Sequence, residues 1–470
     1  MAERDLSRVR AALERVLGAG RVDVSDAGLS EHAHDTWPLS LLRLQQGRLT
    51  ERPACVVTPT STAEVAAVLR YANEARIPVV PYGGGSGVSG GVLPSADAIV
   101  VDLRRLDQLL ELNETALQAR VQAGMFGHHF EDALSARGYS MGHWPQSIAL
   151  STVGGWVATR AAGQFSTRYG SIEDMLLGLE AVLADGRVVR VKPTPRRSAG
   201  PDLRHLFLGS EGTIGIVTEI TVKVFPTPES RKLLSFAFPD FDAGLEAIRH
   251  IMRAGWRPPV LRLYDAMESG RHFGQWQNDD RCFLLVVTEG PAALTAAEAE
   301  ACHAVCTGHG GEAVGEAPVQ HWLEERNNVP SLLSFIERGF VLDTIEVAAE
   351  WDRIHTLYSE VCAALRTVQG LIVVSGHSSH SYAQGTNIYF TFVAKPESPV
   401  DAEPTYLACW QQAMEATLRA GGTICHHHGI GRMRTPWMAA EHGVGLEMLR
   451  TVKRALDPQG ILNPGALLPD

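Results

Sequence analysis

Between residues 60 and 76, TSTAEVAAVLRYANEAR, apolar positions recur three and four apart, a spacing that predicts a helix capped by Thr60, Ser61 or Thr62. IPVVPYG follows as a short strand, and AIVVDL at 98–103 reads as another. The N-terminal stretch, MAERDLSRVRAALERVLGAG, alternates charged and apolar residues at helical spacing. Further on, GLEAVLADGRVVRV (178–191) predicts a hairpin with Asp185-Gly186 at its turn. FLGSEGTIGIVTEITVKVFPTP (207–228) predicts a Gly-rich turn and a strand of period two, with a boundary at 226–229. Beyond residue 230 strands and helices alternate: SFAFPDFDAGLEAIRHIMRAG, PPVLRLYD, RCFLLVVTEG and LTAAEAEACHAVCTGHGG. MLRTVKRAL, near the end, is a further helical run. The pattern divides the chain into an N-terminal helical segment (1–50), a first domain (51–229), an independent α+β domain (230–420) and a C-terminal segment (421–470).

Composition adds little that is unusual. The 470 residues are 45% hydrophobic and 20% charged, an ordinary globular balance with length for two or three domains. A net charge of −11 without a long Lys/Arg run argues against a nucleic-acid partner. No signal-peptide core or membrane-length apolar run is present. Seven scattered cysteines make no disulfide framework, and a reducing cytoplasm is the expected setting. Cys302 and Cys306 read as two buried thiols, because no second pair completes a zinc site.

Between the first two strands lies PYGGGSGVSGG, residues 81–91. It satisfies G-x-G-x-x-G, yet a Rossmann fingerprint needs a helix opening within the glycines. Here Pro94 and a β-branched run follow, so the match is incidental. A glycine run costs conformational entropy on ordering. Its chemical gain is a set of exposed N–H groups, which can nest a phosphate with no helix behind them. A second stretch, GHWPQSIALSTVGGWVATRAAGQFSTRYGSIED (142–174), combines small residues with hydroxyls suited to a polar, flat ligand.

Three clusters carry candidate chemistry. His426, His427 and His428 stand in a row that no regular helix or strand can aim one way; on a strand, His426 and His428 would share a face. In GHSSHSYAQGTNIYF, His380 and Tyr382 fall on one side of an extended segment, and Tyr382 is an acid/base candidate. Arg262 in LRLYD suits an anion site or a structural ion pair. A histidine in these stretches serves a structural role as readily as a catalytic one. A metal site competes, but neither short stretch contains Asp or Glu, so a metal-free site is expected.

Taken in order, PYGGGSGVSGG, STVGGWVATRAAG, GSEGTIGIVTE, SHSY with IYF, and HHHGIG resemble the vanillyl-alcohol-oxidase type of flavoenzyme, those with an FAD-linked oxidase C-terminal domain. The likeness runs from about residue 50 to the end and is greatest toward the alkylglycerone-phosphate synthase branch. It implies an α+β fold: a two-part FAD-binding domain, a cap domain with an antiparallel sheet, and a C-terminal segment returning to the flavin. By this resemblance Pro81, Tyr82, Gly83, Gly84, Gly85, Ser86, Gly87 and Ser89 contact the FAD pyrophosphate. Pro145, Ser147, Thr152, Gly155, Thr159, Ser166 and Tyr169 line the cofactor, with Glu211, Thr213 and Ile216 near its other end. The active-site residues fall on His143, Arg262, Tyr382, His426, His427 and His428, with Tyr382 as acid/base.

Two departures qualify the likeness. In the D-lactate and D-2-hydroxyglutarate dehydrogenases, the metal ligands align with Tyr382, Tyr389 and His427, which implies that the metal-dependent mechanism is absent here. The synthase branch also carries an arginine where this chain has Leu333, in Pro330-Ser-Leu-Leu333. An uncharged leucine cannot pair with an anion, which leaves Arg326 or Arg338 for that task. The expected activity is FAD-dependent oxidation of a carbinol carbon in a small hydroxy compound; the alternative is the synthase reaction of ether-lipid formation. The expected partners are a small-molecule or lipid-like substrate, a second copy in a homodimer, and a peripheral membrane contact.

Overall fold

A computed structural model describes residues 6–276, 280–329 and 331–469. Pro330 and the first five residues, named above, lie outside the described residues. The helix expected near 60–76 spans Thr62–Ala75. The Ser61 side chain accepts from the Glu64 N–H, and Val65, Ala66, Val68, Leu69 and Ala72 turn inward. Arg76, left-handed at φ 54°, ends it. This helix crosses between two parallel strands, Cys55–Val57 and Val79–Tyr82, which flank Ile99–Asp102 in a four-stranded sheet; Val22–Asp23 pairs antiparallel at its edge. The glycine run therefore leaves the carboxyl end of a buried parallel strand, where ligands of α/β sheets bind.

A second, antiparallel sheet orders Leu109–Asn113, Gln118–Gln122, Ile216–Lys223, Leu176–Val182 and Val188–Val191. Its last two strands form the expected hairpin, with Gly186 at φ 80° in the turn. The third sheet has seven antiparallel strands, in the order Glu312–Ala313, Ser230–Phe238, Cys282–Gly290, Val260–Tyr264, Leu371–Ser378, Gly385–Ala394 and Val341–Glu350. Helices Phe241–Arg253, Ala292–Gly308, Ile354–Arg366 and Ala402–Arg419 bury apolar residues in the largest core, which this sheet shares. Cys302 and Cys306 are fully buried free thiols within it. Among the described residues, no helix is long and apolar enough to cross a membrane.

The opposite face of that sheet turns toward the first domain, as Phe165 packing with Val260, Tyr264 and Trp322 shows. Residues past 420 run back across the junction: Asn463 donates to the carbonyls of Gly91 and Glu211. The Arg432 and Met433 N–H groups both reach the Ser89 carbonyl.

Candidate active site

The glycine loop is held from outside and open within. The Gly87 carbonyl accepts from the Thr36 N–H at 2.9 Å and from its hydroxyl at 2.9 Å. Among the described residues, no backbone N–H from Gly83 to Gly90 donates a hydrogen bond. Consecutive uncommitted amides form an anion nest. The glycines follow from close approach: a Cβ on Gly84 would stand 1.8 Å from the Leu150 carbonyl oxygen, and one on Gly83 2.5 Å from Thr152 Oγ1. Asp35 lies buried beside the loop and holds the Trp37 N–H; burial pushes its carboxyl up to about 7.

The second stretch organises the floor. Thr152 caps the helix Val153–Thr159 by accepting from the Gly155 N–H, and Thr159 Oγ1 donates to the Gly155 carbonyl. The Ser147 and Pro145 carbonyls close a turn on Ser151 and Ile148. Ile216 is buried in its strand, and Thr213 Oγ1 donates to the Ser210 carbonyl. Three more side chains assigned to the cofactor by resemblance also have partners within the protein. Ser166 Oγ lies 2.6 Å from His380 Nδ1, Tyr169 OH donates to Glu289 at 2.6 Å, and Glu211 accepts the Ile430 and Gly431 N–H groups at 2.6 and 2.8 Å. Burial raises the Glu211 carboxyl to about 7.

The histidine row lies in an irregular loop rather than on a strand. Adjacent rings lie 5.1 and 4.8 Å apart. Tyr382 OH sits 2.7 Å from His426 Nε2, and His426 Nδ1 sits 2.8 Å from His427 Nδ1. His380 stacks on His426 with centroids 5.1 Å apart. Tyr382 and His426 line a cavity of about 580 Å³, together with Thr159, Glu211, Thr213 and Ile430. Burial lowers all four imidazoles below the ordinary histidine range, His428 to about 3, and raises the Tyr382 phenol. The row is thus a set of neutral imidazoles next to a neutral phenol.

His143 is not brought to this cluster. It packs against Trp156, centroids 4.6 Å apart, fully buried and pushed down to about 3 by burial. Neither of its ring nitrogens has a hydrogen-bond partner.

Sequence reasoning missed Glu346. This fully buried carboxylate accepts the N–H groups of His426, His427 and His428, and Arg434 Nη2 lies 3.5 Å away. A nitrogen from each of His380, His426 and His427 lies within 4.8 Å of the others, and Glu346 Oε2 is 3.5 Å from His427 Nδ1. A carboxylate absent from both short histidine stretches thus arrives from a third strand. The only sequence signal for it was an acidic residue within an apolar strand, LDTIEVAAE.

Arg262 projects from its strand to Tyr264 OH at 2.6 Å and to His377 Nε2 at 2.7 Å. His377 Nδ1 in turn bonds Glu268 at 2.7 Å. Burial takes His377 down to about 4. Glu268, pushed up by burial, is pulled down to about 2 overall by His377 and nearby arginines. Neutral His377 therefore donates to Glu268 and accepts from Arg262, which orients the guanidinium without neutralising it on contact. Arg326 also neighbours Trp322; its guanidinium and that of Arg262 each sit 5.9 Å from the ring. Arg326 Nη1 donates to Gln164 Oε1 at 2.7 Å, and Arg326 Nε is buried without a partner. Burial pushes Arg326 down to about 10. Leu333 opens a short exposed helix, and Arg338 lies over Phe340.

Comparison with known proteins decides the family. Residues 53–192 match the FAD binding domain, and residues 227–467 match the C-terminal domain of FAD linked oxidases. The chain belongs to the FAD-linked oxidase family, and its fold is of the vanillyl-alcohol-oxidase type. The uncharacterized FAD-linked oxidoreductase YgcU of Escherichia coli (strain K12) is 36% identical over 97% of both chains. The alkyldihydroxyacetonephosphate synthase of Trypanosoma brucei brucei is 31% identical over 91% of this chain and 75% of its own. A solved alkyldihydroxyacetonephosphate synthase superposes with a TM-score of 0.83 at 24% identity, covering 98% of this chain and 85% of that one.

As an FAD-linked oxidase the protein is a flavoenzyme, and its cofactor is FAD. The residues fit that group: the amides from Gly83 to Gly90 lack acceptors within the chain, and the diphosphate of FAD would supply them.

Proposed function

We propose that this FAD-linked oxidase oxidises a carbinol carbon of a small hydroxy compound, with Tyr382 as the acid/base residue. The contact between Tyr382 OH and His426 Nε2, 2.7 Å long on the wall of the cavity, carries the reading. A buried phenol held neutral is a poor base by itself. It relays well when its own proton can leave as another arrives. With His426 as the Nδ1–H tautomer, Nε2 accepts the Tyr382 proton while the phenol oxygen takes one from the substrate hydroxyl. His426 Nδ1–H then points at His427 Nδ1, 2.8 Å away. FAD, when bound, supplies the hydride acceptor. Arg262 and Arg326 provide positive charge suited to a carboxylate or phosphate on the substrate. The relative YgcU, an FAD-linked oxidoreductase, supports the redox reading, as does Leu333 in place of an arginine. Anaerobic mixing of the FAD-loaded protein with hydroxy acids and alcohols is expected to bleach the flavin with one class; no bleaching with any of them defeats the reading.

A second reading is favoured by the 31% identical synthase. Here the same phenol–imidazole relay assists non-redox exchange of an acyl for an alkyl group on glycerone phosphate. Alkyl-ether product without net flavin reduction selects it.

Two results follow from the electrostatics. Burial lowers His426, so its neutral, proton-accepting form persists below the ordinary histidine pKa of about 6.5. The oxidation rate therefore stays flat as pH falls to about 6.5 and drops only as pH passes through the lowered value. A stopped-flow pH series checks this, and an acid limb at or above 6.5 contradicts it. For an anionic substrate, Arg262→Gln raises KM by about 10- to 100-fold with kcat little changed, because the lost contact is made equally before and during reaction. Steady-state kinetics separate the two constants.

A further inference from the structure

The reaction steps above leave Glu346 without a task, yet the chain commits much to it. Glu346 is fully buried; Oε2 accepts the His426 and His427 N–H groups at 2.7 and 2.8 Å, and Oε1 accepts that of His428 at 2.6 Å. Burial alone would push its carboxyl up. The Arg434 charge, with the amides, holds it below the ordinary carboxylate range, so it is charged at neutral pH. Arg434 is equally buried and fixes the surrounding backbone: Nε donates to the Ile424 carbonyl, and Nη1 donates to the Gly429 carbonyl and Ser89 Oγ. A lone buried carboxylate is strongly destabilising, but one met by three N–H donors and a guanidinium is held firmly.

The geometry resembles an anion nest in which a side chain takes the place of the ligand. Successive side chains on an extended segment point to opposite sides. Three consecutive N–H groups converging on one carboxylate break that alternation and set three imidazoles side by side. We propose that Glu346 is the positioning residue of the proton relay: its carboxylate, with Arg434 as counter-ion, curls the His426–His428 backbone around itself and so holds His426 at bonding distance from Tyr382. The fixed negative charge also favours His426 at the moment it receives the Tyr382 proton. The proposal rests on Tyr382 and His426 acting as the relay, and its test has one arm independent of turnover.

That arm measures carbethoxylation of the three histidines by diethylpyrocarbonate in the FAD-loaded protein, followed by mass spectrometry of their shared peptide. Glu346→Gln is expected to raise the rate about tenfold, because the freed segment opens locally. Glu180→Gln is the control. Glu180 is buried on the strand Leu176–Val182 of the second sheet and bonds the Thr62 and Thr218 hydroxyls, apart from Glu346, Arg434 and the row, so this variant labels at the wild-type rate. A wild-type rate in Glu346→Gln, or an equal rise in Glu180→Gln, overturns the proposal whatever the reaction proves to be. If Glu346→Gln does not fold, Glu346→Asp, one methylene shorter, serves: it is expected to label faster than wild type, and an unchanged rate overturns the proposal.

The second arm uses flavin bleaching by the reactive substrate. Glu346→Gln is expected to slow it about 10²-fold. Tyr382→Phe/Glu346→Gln is expected to be no slower than Tyr382→Phe alone, since residues acting through one step are not additive. Losses that multiply overturn the proposal.

Discussion

Tyr382→Phe lowers the rate of substrate-dependent flavin reduction by about 10³-fold, within the range for loss of a general acid/base. FAD content and thermal stability stay near wild type. The phenol's side-chain partners are His426 Nε2 and the Ser171 hydroxyl on the cavity wall, and the ring is expected to stay in place when the oxygen is removed. The loss therefore falls on proton transfer rather than on folding. The substitution leaves His426 without an O–H to accept, while its Nδ1 keeps the contact with His427. Rapid-mixing absorbance under nitrogen measures the effect. A variant that bleaches as fast as wild type removes Tyr382 from the chemistry and transfers the role to the histidines alone.

The second large effect is on cofactor retention. Gly84→Ala yields a protein that purifies colourless and takes up added FAD at least about 10²-fold more weakly, because the added methyl meets backbone that cannot turn aside. A Cβ there would lie 1.8 Å from the Leu150 carbonyl oxygen and 2.9 Å from its carbon. Relief requires the loop to move off the 150–152 segment, and the N–H groups then no longer converge. Gly138→Ala is the comparison: that glycine also sits on a tight turn, at φ 79°, with open space around it and no contact with the loop. It keeps its colour. Flavin absorbance after gel filtration and fluorescence titration with FAD distinguish the two variants, and a yellow Gly84→Ala protein contradicts the assignment of the nest.

Where neighbours along the chain determine structure, the sequence was readable. The helix Thr62–Ala75, the strands on either side of the glycine run and the hairpin at Asp185-Gly186 each follow from local pattern and turn chemistry. The glycine loop was readable for the same reason, since its composition is explained by an exposed row of amides. The relay was only half readable. Tyr382 and the histidine row announce proton chemistry by residue type, but the carboxylate that shapes the row sits eighty residues earlier, marked only as one acidic position in an otherwise apolar strand. Likewise nothing in the sequence foretells the contact of the Ser166 hydroxyl with His380, which the fold makes across 214 positions. His143 shows the converse: a histidine in a suggestive motif, sealed against Trp156 away from the cluster it was grouped with. Burial and long-range pairing, which no local spacing encodes, separate these cases.

Ser89 belongs to two loops at once. It is part of the amide run, while its carbonyl holds the N–H groups of Arg432 and Met433 and its hydroxyl reaches the His428 and Gly429 carbonyls. Slack in the one segment is therefore felt in the other. Cradle and imidazoles are laced together through this one serine, so a disturbance of either is expected to travel into the other.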